Sequence, residues 1–210
     1  MQNVLADLAL EWEAATLLAF RLAGAFDRGR EDERERQLTR IVTPVAKYWV
    51  CKRINALAAE AMECLGGAGY VEESPLARLY REAPVNGIWE GSGNVISLDV
   101  LRSMAREPAS VEAFFDELAD AASSEPKLAH VAEALKSDFA DQVTLEVRAR
   151  RVIEEMAVAL QAALMVRHAP SAVADAFIAT RLEGDWGTCF GTLPASVDCA
   201  ALLRRAQGSG

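Results

Sequence analysis

The sequence predicts an all-α protein: an up-and-down helical bundle with a C-terminal helical extension. Three observations lead there. Apolar residues recur at steps of three and four along most of the 210 positions, the spacing that lines side chains up on one helical face. β-Branched residues come singly and period-two alternation is scarce, so few segments could serve as half-buried strands. Short breaks rich in glycine, proline or charge separate the periodic stretches, as between helices packed against their sequence neighbours.

Composition narrows the class. Hydrophobic residues make up 51% of the chain and charged ones 25%, the balance of a soluble globular protein long enough to bury a large core. A net charge of −9 argues against unaided binding to DNA phosphates. No apolar run approaches the roughly 18 residues of a membrane span. The first residues lack a basic segment, apolar core and cleavage site in order, so a cytoplasmic location is expected. Cys51, Cys64, Cys189 and Cys199 are far apart and form no Cys-x-x-Cys, which predicts reduced, packed thiols. His130 and His168 stand at no metal-ligand spacing; they read as helix-surface residues, and no metal centre is predicted.

The first helix covers residues 2–26. Leu5, Leu8, Trp12, Ala15, Ala19, Leu22 and Phe26 form a stripe on one face. Leu10, Leu17, Leu18 and Phe20 widen it, so burial on more than one side is expected, the stripe included. Charge dominates residues 27–35, a solvated turn with Gly29 as breaker. A second long helix is predicted over 34–65, its apolar set running from Leu38, Val42, Val45 and Trp49 to Ile54, Leu57, Ala58, Ala61 and Leu65. Pro44 inside it predicts a kink, or a restart capped by Thr43. Gly66 and Gly67 end it.

Helical periodicity then lapses until Ser92. The stretch reads as a long irregular loop, and such loops are usually functional or disordered. Tyr70, Leu79, Tyr80, Ile88 and Trp89 make it too apolar for disorder, so it is the predicted site. Ser92 or Asn94 caps the next helix, which carries Val95, Ile96, Leu98, Leu101 and Met104 and stops before Pro108. Shorter helices are predicted over 110–122 and 127–141, either side of Ser123-Ser124-Glu125-Pro126. A longer one covers 143–168, with Leu145, Val152, Met156, Ala159, Leu160 and Ala163 on a face, and Pro170 ends it. Residues 171–182 look helical, 183–194 form a glycine-rich loop, and a last helix spans 195–206. The final Gly-Ser-Gly reads as a frayed tail.

Within the central stretch each candidate has a plain reading beside a chemical one. Gly66, Gly67 and Gly69 make no dinucleotide fingerprint, because they leave a helix instead of a strand and Glu72 stands where a third glycine is needed. A helix C-cap explains Gly66; close approach of backbone to a ligand would explain the others. Gly91-Ser92-Gly93 is no nucleophile elbow, but the helix it opens has free amides that could seat a phosphate. Glu90 is either an exposed carboxylate favouring the helix dipole or a general base desolvated against Trp89 and a bound acyl group. Arg78 and Arg81 read first as surface ion-pair partners of Glu82 or Glu72, and Lys47, Lys52 and Arg53 as one helix face.

These motifs resemble the C-terminal helical domain of the acyl-CoA dehydrogenases. Gly66-Gly67-Ala68-Gly69-Tyr70 is similar to that family's helix-ending Gly-Gly-x-Gly-Tyr/Phe, and Trp89-Glu90-Gly91-Ser92 to its later Tyr-Glu-Gly-Thr. The runs Leu-Tyr-Arg-Glu-Ala-Pro-Val-Asn and Ile-Trp-Glu-Gly-Ser-Gly-Asn resemble more narrowly the AidB-like branch, linked to the adaptive response to DNA alkylation. Gly-Asp-Trp-Gly with Phe-Gly-Thr-Leu-Pro resembles that branch's C-terminal extension. The resemblance implies FAD as cofactor and an acyl-CoA thioester as substrate, oxidised to the α,β-enoyl-CoA. It implies Glu90 as the base, its backbone amide polarising the thioester carbonyl, and Gly91 beside the substrate. It implies Ser92 and Asn94 at FAD, and Glu63, Gly66 and Gly67 at the FAD of a neighbouring subunit. The implied partners are further copies in a homo-oligomer, or a separate N-terminal half, since the family's N-terminal helical and β domains would precede Met1. Glu63 stands where most of the family has Gln, Ser92 replaces Thr and Trp89 replaces Tyr. The expected organisation is a bundle over 1–107 bearing the FAD and substrate loop, with 108–210 as a helical extension packed on it. The alternative is a non-catalytic assembly or DNA-protection module of the alkylation response.

Overall fold

The computed structural model describes residues 1–208, and among them every regular element is helical. α1 spans Gln2–Arg28 and α2 spans Glu33–Cys64. The turn between them is fixed by Asp32, whose Oδ1 accepts from the backbone N–H of Arg34 and Glu35 at 2.9 and 3.3 Å. That satisfies two of the donors a helix start leaves free. α2 runs through Pro44 without a break. Thr43 does not restart it: its hydroxyl donates back to the Thr39 carbonyl at 2.6 Å, as Thr39 does to Glu35, the bonding of a helix interior.

α1 buries a different face from the one its stripe predicts. Ala6, Leu10, Ala14, Leu18 and Ala25 are sealed, whereas Leu5, Trp12 and Phe26 lie outside, Trp12 being 57% exposed. Both faces are apolar, so periodicity gave no preference. The sealed face is the one carrying Asp7 and Glu11, where Arg181 and Arg53 meet them. Its alanines also permit a close fit against α2 and α8 (Leu145–His168).

Two helices occupy the stretch predicted to be irregular, α3 (Gly67–Tyr70) and α4 (Pro75–Asn86). Ser74 starts α4, its Oγ accepting from the Leu76 amide at 3.3 Å, and Pro75 takes the first position, where no N–H is needed. Three charged residues within its twelve positions hid its apolar pattern. α5 (Gly93–Arg106), α6 (Pro108–Ser124) and α7 (Pro126–Ala140) lead to α8.

α8 is the centre of the molecule. From residue 156 to 165 every position is buried, including Gln161, whose Oε1 accepts from Trp49 Nε1 at 2.9 Å. A helix apolar all round belongs inside a core, and α8 touches α1, α2, α5, α6 and α7. One hydrophobic core therefore runs from Ala6 to Leu202 and draws on both sides of residue 107.

α9 (Ser171–Phe177) widens into a π turn, Ile178–Leu182, from which Arg181 reaches Asp7 and Glu11. The loop after it is pinned to α1. Trp186 Nε1 and the Gly191 N–H both donate to Asp7 Oδ2 at 2.8 Å, and Asn3 exchanges two hydrogen bonds with Leu193. α10 (Cys199–Ala206) starts later than the predicted residue 195, at Asp198, which accepts from the Ala201 amide at 3.0 Å. The last two positions of the predicted frayed tail lie outside the described residues. Among those described, no helix is long and apolar enough to cross a membrane.

Candidate functional site

α4 and α5 meet at a turn over residues 87–92. Here Glu90 has φ +57°, the one non-glycine residue with positive φ among those described, and Gly91 follows at +114°. A left-handed backbone costs an ordinary residue about 1–2 kcal/mol and persists where the surroundings impose it. Lys47 imposes it. From α2 its Nζ donates to the Trp89 carbonyl at 2.8 Å and to the Gly91 carbonyl at 2.6 Å, so one ammonium ties the chain before and after Glu90.

Ser92 stands at the N-cap of α5, yet its hydroxyl caps no amide. The first-turn amides are thus left without a side-chain partner, and Ser92 and Asn94 are both exposed. Gly93 is buried against α2, a Cβ there standing 3.1 Å from Lys52 Cε. Glu90 and Lys47 line a cleft of about 850 Å³ between α2 and α5, together with apolar Phe26, Pro44, Val95 and Ile96 and charged Arg40, Asp99, Arg102 and Glu107. Arg40 is held by Glu107 at 3.0 Å and Asp99 at 3.4 Å.

Glu90 is exposed, and Trp89 beside it is 60% exposed. The desolvation expected of this carboxylate is not supplied by the described residues. The other predicted group lies elsewhere. Glu63 is exposed at the end of α2, Gly66 turns the chain at φ +57°, and Gly67 opens α3. From Lys47 to Glu63 is about 24 Å along α2 at 1.5 Å per residue, so the structure does not bring the two groups together. Nor do these glycines behave alike. A Cβ at Gly66 or Gly67 would meet nothing within 4 Å, while one at Gly69 would stand 2.2 Å from the Met62 carbonyl. Gly69 is explained by packing of α3 on α2, not by a ligand.

Arg78 pairs with Glu82 at 2.9 Å and Arg81 with Glu72 at 2.6 Å, on the surface as the plain reading expected. Two basic residues read as a mere helix face have tertiary partners instead. Lys47 clamps the turn, and Arg53 pairs with Glu11 at 2.9 Å while lying 5.0–5.5 Å from the rings of Trp49, Trp186 and Phe190. Lys47 does stand inside the apolar segment 45–50 of α2, but what it reaches is not written there.

Residues 1–105 match the acyl-CoA dehydrogenase C-terminal domain family. AidB of Escherichia coli (strain K12), provisionally assigned as an acyl-CoA dehydrogenase, is 56% identical over 107 residues, which is 51% of this chain and 20% of AidB. The acyl-CoA dehydrogenase family member 11 of Caenorhabditis elegans is 40% identical over 103 residues, 48% of this chain and 17% of that protein. The crystal structure of Caenorhabditis elegans ACDH-11 in complex with C11-CoA superposes with a TM-score of 0.63 at 29% identity, covering 83% of this chain and 33% of that one. Bd2924 in its apo form gives 0.66 at 26% identity, covering 75% and 31%. The chain thus spans about a fifth of these curated relatives, and the structural likeness extends into helices beyond residue 105.

Proposed function

The chain belongs to the acyl-CoA dehydrogenase family through the C-terminal domain matched over residues 1–105, and from that premise we propose that it is the part of an FAD-dependent acyl-CoA dehydrogenase that carries the catalytic base. Glu90 is that base. The observation that carries the reading is its turn: a left-handed residue, clamped by Lys47, beside a cleft of about 850 Å³ at a helix start. Its carboxylate takes the proton from Cα of the acyl thioester, the electron pair forms the Cα–Cβ double bond, and a hydrogen leaves Cβ as hydride. When bound, FAD accepts that hydride. Negative charge grows on the thioester oxygen as the proton leaves, and the Glu90 amide donates to it. Gly91 has no side chain to hold the substrate off.

The donors suit the cofactor. The Ser92 hydroxyl is free of capping, Asn94 is exposed, and the first-turn amides of α5 favour a pyrophosphate. Glu63 at the far end of α2, with Gly66 and Gly67 just after it, serves a second flavin in a neighbouring subunit of a homo-oligomer. The exposed apolar residues near the turn, Ile88, Trp89 and Val95, are surface for the flavin-holding remainder to cover. That remainder, in the same polypeptide or as a separate N-terminal half, also excludes water from Glu90. Residues 1–107 form the bundle bearing the site and 108–210 its extension, acting in the cytoplasm on an acyl-CoA.

The test is purification of the chain alone and together with a polypeptide supplying the family's N-terminal helical and β portions. FAD is expected only in the combined sample. There Glu90→Gln should slow flavin bleaching by acyl-CoA by about 10²–10⁴-fold, the usual worth of a general base. Folded but flavin-free material in both samples would refute the reading. The exposed stripe of Leu5, Trp12 and Phe26 on α1 favours a second one, a non-catalytic assembly module, and a folded, flavin-free combined sample whose self-association is lost in Trp12→Asp would support it.

A further inference from the structure

Lys47 is a mid-helix residue whose ammonium makes no salt bridge among the described residues and instead donates to two backbone carbonyls, those of Trp89 and Gly91. Lysine is flexible and strongly hydrated, so fixing its ammonium on neutral acceptors is unfavourable unless the geometry returns something. What lies between the two carbonyls is Glu90 at φ +57°. The sign of φ sets the direction in which the Cα–Cβ bond leaves the backbone, and hence where the carboxylate can go. An arginine fork would suit a carboxylate or phosphate; two carbonyls converging on one point suit a point charge with several donors.

We infer that Lys47 is a positioning residue: it holds the Glu90 turn left-handed and so directs the carboxylate at the cleft. As positioning for catalysis, this rests on the reading of Glu90 as the base; the clamp itself stands on the backbone geometry. Freed of the ammonium, Glu90 relaxes to negative φ and the amides of the turn open to water. The third ammonium N–H remains available in a cleft that also lodges Arg40 and Arg102.

The experiment is heteronuclear NMR on the isotope-labelled 210-residue chain. The unaltered protein should show a Lys47 ammonium resonance coupled through hydrogen bonds to the Trp89 and Gly91 carbonyl carbons. It should also show the strong intraresidue HN–Hα cross-peak of a left-handed residue at Glu90. Lys47→Met should lose that cross-peak and speed hydrogen exchange of the amides at 89–92 by tenfold or more, with Lys47→Arg intermediate. In the flavin-loaded combination, Lys47→Met should slow flavin bleaching by tenfold or more at saturating acyl-CoA with the half-saturation point unmoved. A folded Lys47→Met that keeps Glu90 left-handed overturns the inference, as does an unaltered chain with no ammonium-to-carbonyl coupling, a result that needs no variant to fold. An unchanged bleaching rate in Lys47→Met, where Glu90→Gln is slow, overturns the positioning role alone. A Glu90→Gln that bleaches flavin normally sinks the base and leaves the clamp standing.

Discussion

At Gly69 the chain has no room for a side chain, and at Gly67 it has ample room. Gly69→Ala must push α3 off the last turn of α2, because its Cβ would stand 2.2 Å from the Met62 carbonyl oxygen. Overpacking of this kind costs about 1–3 kcal/mol. The urea midpoint should fall accordingly in Gly69→Ala and hardly move in Gly67→Ala; equal losses would contradict the packing described. Residue by residue, the site was partly legible. Glu90 stood out because Trp-Glu-Gly-Ser is a local string. Its clamp did not, because Lys47 lies 42 positions upstream and a backbone carbonyl as hydrogen-bond partner leaves no mark in the sequence. The left-handed φ of Glu90 was equally silent, glutamate being no turn residue.

Among the elements, α1, α2, α6 and α8 are tied together by a largely buried charge cluster. Glu117 on α6 accepts from Arg21 Nη2 at 2.7 Å and also meets Arg167 of α8, while Arg21 reaches Glu35 at 2.8 Å. Burial by itself would push the Glu117 carboxyl up, but the hydrogen bonds and charges of Arg21 and Arg167 outweigh it and hold it below the ordinary carboxylate range. A depressed folded-state pKa gives stability that is complete above the unfolded-state value and is lost as pH falls through the folded one. Urea unfolding should therefore show this contribution intact at pH 7 and fading below about pH 4.5. Glu117→Gln should cost about 2 kcal/mol at neutral pH, less than a fully buried pair because both arginines keep some water, and should flatten the acid limb. Parallel pH profiles for the two proteins would exclude the account. The starts of α6 and α7 and the end of α8 were readable because Pro108, Pro126 and Pro170 mark them. The inward face of α1 was not, since two apolar faces compete and the winner is set by Arg53 and Arg181, far off in sequence. α4 escaped because its charged residues blur a short period.

For the molecule as a whole, the family match ends at residue 105, yet the core does not. α8 lies within the helices that precede it, and Val152, Ile153, Met156 and Leu160 are fully or almost fully buried there. Residues 1–107 alone would expose the surfaces of α1, α2 and α5 that α8 covers. They are expected to keep helical far-UV circular dichroism, lose the near-UV signal and bind ANS, the marks of a collapsed state without fixed packing. The complete chain should unfold in one transition by both probes. A sharp, cooperative melt of residues 1–107 would mean that the bundle stands without its extension.

The lateness of α8 in the chain has a consequence for biosynthesis. A nascent polypeptide lengthening by about 5–20 residues per second exposes the greasy flanks of its first two helices for several seconds before their central strut emerges from the ribosome. Cells with a weakened holdase system should accumulate this protein as aggregate sooner than a bundle of equal size whose innermost helix is made first.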